Sequence, residues 1–513
     1  MKRSGRSVKP FIQALFFTAF IALLYEARWP FEQNLPVGFF LHSDPVFVMT
    51  ASLASGVFKT AAFLSLLTVV SAMIFGRVYC GYACPAGAIL DLLGYLKAHN
   101  VFKRKGFVPR GSAGAKRLKY LVLAVVTVSA AFGVQAAFVA DHMAILGRIG
   151  SQVVLALTTG SGAGPLVSAS AFFIVMIAMS FAARRGWCRY LCPNGALLAL
   201  LSVRPPWRRR VVTSCDACGA CAVTCPSGCI HEDGVSCNHM ECIACKSCQR
   251  VCPKNAVSFS FGNDRKKPFE TSGWTPVTRR EMLLSIVSGA AVAAAGGIEI
   301  GSSPIKEINV VRPPGAAPER DFLAACARCG LCARACVTGT IRPAMLESGV
   351  AGFMSPVMTP RKAGCEQYCT MCGAVCPTGA LRVVDIREKR WARVGTAHID
   401  KQRCLSWNQG LNCLVCHEQC PNTAVRMVER TGDGEEVVSG EVENAPEVDP
   451  GRCNGCGQCE ASCPVDGTSA IVVTAEGELR LLSGSYIEAA RSMGLDVDGT
   501  QDFDGGVPDG FVR

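Results

Sequence analysis

Apolar runs dominate the first two hundred residues, at 11–25, 46–75, 120–140 and 165–183. A fifth, 282–298, is 17 residues long, at the short end of the about 17–25 that cross a bilayer. Basic residues alternate with these runs. Lys2, Arg3, Arg6 and Lys9 precede the first. The loop 77–119 holds Lys97, Lys103, Arg104, Lys105, Arg110, Lys116 and Arg117, and Arg184, Arg185, Arg189, Arg204 and 208–210 follow the fourth. Loops 26–45 and 141–164 carry only Arg28 and Arg148. Because Lys and Arg stay cytoplasmic, the pattern predicts a cytoplasmic N-terminus and residues 200–280 on the same side. It predicts a membrane α-helical domain of four spans over 1–205, plus a fifth anchor at 275–300. Lys59, inside the second run, then falls near the outer interface, where a lysine can snorkel. Past residue 300 the long apolar runs stop, and short segments between cysteines take over.

Composition sharpens this division. Half of the 513 residues are hydrophobic and the mean hydropathy is +0.28, which points to a membrane protein of several domains. Residues 1–300 carry 31 Lys+Arg against 13 Asp+Glu, a net +18, and residues 301–513 carry 21 against 27, a net −6. The basic half is interleaved with apolar runs, so topology explains its charge, and no basic stripe alternates with aromatics as a single-strand nucleic-acid binder requires. Thirty cysteines are too many for a plain core, and the chain is too long for a small secreted disulfide scaffold. All but Cys229 and Cys237 fall in compact groups, which argues for metal centres.

The groups are of two kinds. Cys80-x3-Cys84-Pro85 and Cys188-x3-Cys192-Pro193 each follow an apolar run, as in a duplicated helical hairpin. Four cysteines meeting there are candidates for cofactor binding or a dithiol relay, or are simply structural turn residues. Cys215-x2-Cys218-x2-Cys221-x3-Cys225-Pro226 and Cys242-x2-Cys245-x2-Cys248-x3-Cys252-Pro253 have the spacing of a bacterial two-cluster ferredoxin, in which the fourth cysteine of each run ligates the other cluster. This predicts an α+β ferredoxin-like module at 206–270, with Cys215, Cys218, Cys221 and Cys252 on one [4Fe–4S] cluster and Cys242, Cys245, Cys248 and Cys225 on the other. Cys229 and Cys237, between the runs, read as plain thiols or replacement ligands.

Four further runs predict a second ferredoxin-like module at 310–485. They comprise Cys326, Cys329, Cys332 and Cys336; Cys365, Cys369, Cys372 and Cys376; Cys404, Cys413, Cys416 and Cys420; and Cys453, Cys456, Cys459 and Cys463. The total is six [4Fe–4S] clusters, with pairing in the second module open between sequential and nested. Cys413-x2-Cys416-His417 also fits a haem c attachment motif. Haem there would strand Cys404 and Cys420, so no haem is expected. The stretch 432–449 has seven acidic residues and no Lys or Arg; it reads as a solvated loop or a docking face for a basic partner. An acidic tail, 486–513, ends the chain.

Two features bear on location and substrate. Thr278-Arg279-Arg280-x-Met282-Leu283 resembles a twin-arginine export signal, which puts the second module in the periplasm of a bacterium and the rest at its inner membrane. His42, Asp44, Asp141 and His142 fall in the expected outer loops, where quinol oxidation needs a proton acceptor. Asp44 before Pro45 also fits a helix N-cap.

The C-x3-C-P pair with the ferredoxin runs at 215–253 resembles the NapH/MauN membrane ferredoxins, and the twin-arginine segment with the four later runs resembles NapG/MauM. The resemblance implies a fused membrane polyferredoxin carrying electrons from the quinol pool to a periplasmic redox protein or reductase. His142 stands where the family pattern would have proline. The alternative is an assembly factor or metal-ion reductase using the C-x3-C-P thiols.

Overall fold

The computed structural model describes residues 8–27, 37–56, 62–98, 115–159, 164–262, 278–302, 310–345, 347–430 and 443–495. Lys59, residues 432–442 of the acidic stretch and residues 496–513 of the tail lie outside them. The chain divides into two compact units, Met1–Tyr25 with Val37–Ala295 and Glu26–Pro36 with Gly296–Arg513.

The expected four-span domain is not what the first unit contains. Among the described residues one helix, Val8–Glu26, is long and apolar enough to cross a membrane. The run 46–75 divides into Pro45–Ser55, stopped by Gly56 in the left-handed conformation, and Ala62–Phe75. The run 120–140 yields Leu118–Ala131 and a 3-10 turn, Ala137–Val139. Gly164–Ala182 is apolar over Ser170–Ala182. The twin-arginine segment does start a helix, Arg279–Ser302, but it too falls short as a span. Hydropathy along the chain counted apolar residues without registering where helices stop.

The C-x3-C-P repeats form matching turns. Val78–Tyr82 is followed by a helix from Pro85 to Ala98, and Gly186–Tyr190 by Pro193–Leu201. In each, the second cysteine N–H bonds a carbonyl five residues back, Tyr79 or Trp187, at 3.0 Å. Proline at the first helical position lacks only a donor that would be unsatisfied there. The ferredoxin-like module of this unit pairs Trp207–Val211 with Val257–Phe261, antiparallel, around the helical turns Ala220–Thr224 and Ser247–Val251.

Among the described residues the second unit has three two-stranded antiparallel sheets: Ile341–Pro343 with Pro356–Met358, Thr396–Ile399 with Ile471–Thr474, and Val425–Arg430 with Glu443–Val448. Strands this short and few bury little by themselves. Its main core cluster combines Val394, Ala397, Val425, Ile471 and Val473 with the cysteines Cys416, Cys453 and Cys459.

Candidate iron–sulfur sites and a buried thiol–imidazole centre

Two cavities in the second unit decide how its third and fourth runs pair. Cys404, Cys413, Cys416 and Cys463 line one of about 360 Å³. Cys420, Cys453, Cys456 and Cys459 line another of about 310 Å³. Each combines three cysteines of one run with the fourth of the other, as in a two-cluster ferredoxin. Four convergent sulfurs around a largely apolar cavity fit a [4Fe–4S] cube. The haem-like Cys413 and Cys416 share their cavity with Cys404 and Cys463, and His417 turns its Nδ1 to the Val425 carbonyl at 2.7 Å. Among the earlier runs, Cys326 and Cys332 interact with Cys376, and Cys332 with Cys329, while Cys365, Cys369 and Cys372 interact with Cys336. Pairing in this unit is therefore sequential, first run with second and third with fourth. The two pairs meet where the Cys365 N–H donates to the Cys456 carbonyl at 2.7 Å.

In the first unit Cys225, Cys242, Cys245 and Cys248 line a cavity of about 290 Å³, the expected set. Cys229 lines it as well. Its Sγ lies 3.5 Å from Cys225 and 3.6 Å from Cys237, so the two spare cysteines sit against a ligand set rather than in a remote loop. The Ile230–Cys237 bridge and the 2.8 Å bond from Asn238 N–H to Cys229 O hold them there. Nothing in the C-x2-C spacing signals this, because the pairing is a backbone contact. Of the other expected set, Cys221 is buried, Cys215 and Cys252 half-buried and Cys218 exposed.

The C-x3-C-P cysteines form a second centre. Cys80, Cys84, Cys188 and Cys192 interact electrostatically across the two repeats. Cys84 and Cys192 each accept a helix N-terminal N–H, from Gly87 at 3.4 Å and Gly195 at 3.2 Å. Asp44 and Asp141 do the same for two more helices. Asp44 accepts from Val46 at 2.9 Å and Phe47 at 3.2 Å, and Asp141 from Met143 at 3.3 Å and Ala144 at 3.1 Å. Four helix N-termini thus point at one place, which favours negative charge on their caps. In their midst His142 Nδ1 lies 3.3 Å from Asp141, 3.6 Å from Asp44 and 3.7 Å from Cys192, and the His142 side chain also hydrogen-bonds Cys84. Burial, reinforced by Asp141, pushes the Asp44 carboxyl well above the usual range. Burial opposes charge on His142, but Cys84 and Cys192 outweigh it and hold the imidazole well above its ordinary value.

This geometry revises the expected placement of the quinol residues. Asp44, Asp141 and His142 are buried, not exposed in outer loops, and Asp44 has the N-cap role its Pro45 suggests. A hydrocarbon core of about 30 Å cannot separate Asp44 and His142 from Cys192. His42 ends the short helix Phe39–His42, half-buried and outside the Asp44–Asp141–His142 group.

Two arginines brace the repeats reciprocally. Arg185 donates to Cys80 O at 2.8 Å, to Gly87 O at 3.2 Å and to both Asp91 oxygens at 2.7 Å. Arg77 crosses to the other repeat, where a Cβ on Gly195 would lie 2.7 Å from its Nη2. Each arginine stands three residues before the first cysteine of its motif, a repeat signal present in the sequence. Arg77 also pairs with Glu241 at 2.8 Å, and Lys119 and Tyr120 reach the same carboxylate. Burial raises the Glu241 carboxyl, but Lys119 and Arg77 outweigh it and bring it down to about 2. Glu241 immediately precedes Cys242, so this ion pair docks the ferredoxin loop on the first C-x3-C-P turn. The approach is close: a Cβ on Gly81 would meet Ile243 O at 2.3 Å.

Comparison with known proteins agrees with the cysteine geometry. A 4Fe-4S binding domain matches residues 59–105 and 166–212, one C-x3-C-P motif in each, and a 4Fe-4S dicluster domain matches 411–466. The methylamine utilization ferredoxin-type protein MauM of Methylorubrum extorquens is 39% identical over 208 residues, 38% of this chain and 88% of that protein. The chain belongs to the MauM/NapG ferredoxin-type family. MauM of Paracoccus denitrificans is 38% identical, over 37% of this chain and 85% of its own length, and the ferredoxin-type protein NapG of Escherichia coli 34%, over 39% and 89%. No solved structure matches. Membership covers the ferredoxin-type portion; the matches do not extend it to a fused NapH/MauN membrane half.

Proposed function

We propose that this family member is a membrane-attached polyferredoxin that takes electrons from the quinol pool and passes them to a soluble redox partner. The carrying observation is the contact between the two paired-cluster sites of the second unit, at Cys365 and Cys456. It makes one continuous route through that unit. A [4Fe–4S] cluster accepts and donates single electrons. The proposal assigns six such clusters to the six cysteine sets, the sixteen cysteines of the second unit holding four.

Val8–Glu26 is the proposed membrane attachment. The twin-arginine sequence at Arg279 and Arg280 supports export of the second unit to the periplasm of the bacterial cell. Asp44 and Asp141, around His142, are the proposed proton acceptors when quinol is oxidised, with the neighbouring cluster of Cys242, Cys245 and Cys248 as first electron acceptor. The docking of Glu241 and Ile243 on the C-x3-C-P turn brings the two together.

The test is anaerobic mixing of a reduced ubiquinol or menaquinol analogue with oxidised, cluster-loaded protein in detergent. Cluster absorbance should bleach, and Asp141→Asn should slow the bleaching about a hundredfold or more, within the 10²–10⁴ span of a general base. Absence of bleaching with both quinols, while a low-potential soluble donor reduces the clusters, would overturn the quinol assignment and leave electron transfer intact.

A further inference from the structure

The segment between the two ferredoxin runs of the first unit carries two cysteines that no cluster set needs. Cys229 and Cys237 stand on a short hairpin. His231 N–H donates to Ser236 O at 2.9 Å, Asn238 N–H donates to Cys229 O at 2.8 Å, and Ile230 and Cys237 form a bridge. Gly234 turns the hairpin in the left-handed conformation, and Asp233 accepts from Val235 N–H at 3.0 Å and Ser236 N–H at 2.9 Å. Arg209 clamps the tip, donating to Gly234 O at 2.6 Å and Val235 O at 2.8 Å. The hairpin thus fixes two sulfurs 3.6 Å apart, each on a residue 4% exposed. Cys229 also lies 3.5 Å from Cys225 and lines the cluster cavity, and the sulfurs of Cys229, Cys237 and Cys242 all fall within 4.8 Å of one another. A fifth ligand is superfluous there, because Cys225, Cys242, Cys245 and Cys248 complete a set of four. A separate metal site on these sulfurs would take Cys242 from that set.

From this geometry we infer that Cys229 and Cys237 are a reversible dithiol–disulfide couple that exchanges electrons with the adjoining cluster site. Oxidation breaks two S–H bonds and forms one S–S bond. Two protons leave to water. Two electrons pass one at a time through the Cys225 and Cys242 contacts to oxidised [4Fe–4S] centres, two of which gain one electron each. Reduction reverses each step. Closing the sulfurs from 3.6 Å to the about 2.0 Å of a disulfide calls for side-chain rotation, since the two are already in contact. Burial bars soluble thiols, which must reach a sulfur directly to exchange, so the ligand contacts are the electron path. A cluster handles single electrons, whereas a disulfide takes two. The pair therefore lets a single-electron carrier hold an electron pair in the module that Glu241 docks on the C-x3-C-P turn. It stands whether quinol or another donor fills the clusters.

The experiment poises full-length, cluster-loaded protein anaerobically at a series of potentials, quenches it in denaturant with an alkylating agent and maps the labels by mass spectrometry. Cys229 and Cys237 should lose their labels together on the oxidising side, with a two-electron slope. A disulfide-linked peptide should join them, and iron content should not change. Reductive titration of the native protein should consume about two electrons per chain more than that of Cys237→Ala at equal iron. Labels on both cysteines at every potential that preserves iron overturn the proposal, as does equal electron uptake by native protein and variant. A disulfide from Cys229 to Cys225 also overturns it, since that bond marks a damaged cluster ligand. Loss of iron from Cys237→Ala marks a misfolded variant; the labelling of the native protein then decides by itself.

Discussion

The two units use their paired ferredoxin-type cysteine runs differently. In the first unit the segment between the runs brings Cys229 and Cys237 against the ligand set and places Glu241 between Arg77 and Lys119. In the second unit the segment between Cys420 and Cys453 contributes to a hairpin, Val425–Arg430 with Glu443–Val448, and each cavity has four cysteines and no fifth. The first arrangement is a docking piece, held by buried charge to a thiol–imidazole centre. The second is a conductor, with one cluster site hydrogen-bonded to the next pair through Cys365 and Cys456. Cysteine spacing sets the cluster; what lies between the runs sets its neighbour.

The most drastic way to separate the two units is by compartment. A reporter active only in the periplasm should be silent when fused after residue 265 and active after residue 315. Equal cytoplasmic activity at both points would remove export from the proposed function. Next in size is ligand loss. Cys456→Ser should cost about four irons per chain, the content of one [4Fe–4S] cluster, and interrupt passage between the two pairs of the second unit. Cys229→Ser should cost none, because four ligands remain in its cavity. Iron analysis and low-temperature EPR read both, and parallel losses would erase the distinction drawn between the units.

Buried charge gives a third contrast. Glu241→Gln leaves Arg77 and Lys119 buried without their shared counter-charge and should destabilise the first unit by about 3–5 kcal/mol. Glu319, which pairs with Arg312 and Arg480 at 2.5 Å but is 29% exposed, should lose less on the same change, because Arg312 keeps its bonds to Ser355 Oγ and the Pro356 carbonyl. Denaturant unfolding followed separately for the two units checks the ranking. Comparable losses would mean that Glu241 is not the dominant tie. The smallest effect is that of acid. The Glu241 carboxyl sits at about 2 when folded against 4.5 ordinarily. Its stabilisation is therefore fully present above 4.5 and is lost as pH falls from 4.5 towards 2. A first-unit unfolding midpoint that falls over this interval in the native protein, and not in Glu241→Gln, is the expected result.

The sequence by itself determined which cysteines belong together within each run, because cluster ligation needs three close sulfurs and one distant one, and that spacing survives any fold. It also carried the C-x3-C-P duplication and the N-cap at Asp44. Only the tertiary structure decided the rest. Sequential rather than nested pairing depends on which distant sulfurs converge, and spacing has no term for that. The spare thiols Cys229 and Cys237 reach the cluster cavity through a backbone bridge that composition does not encode. The span count failed because apolar residues also build short packed helices, and a hydropathy run does not say where Gly56 ends one. His142, expected across a membrane from Cys192, lies beside it, because four helix N-termini with acidic or thiol caps converge on the one imidazole between them.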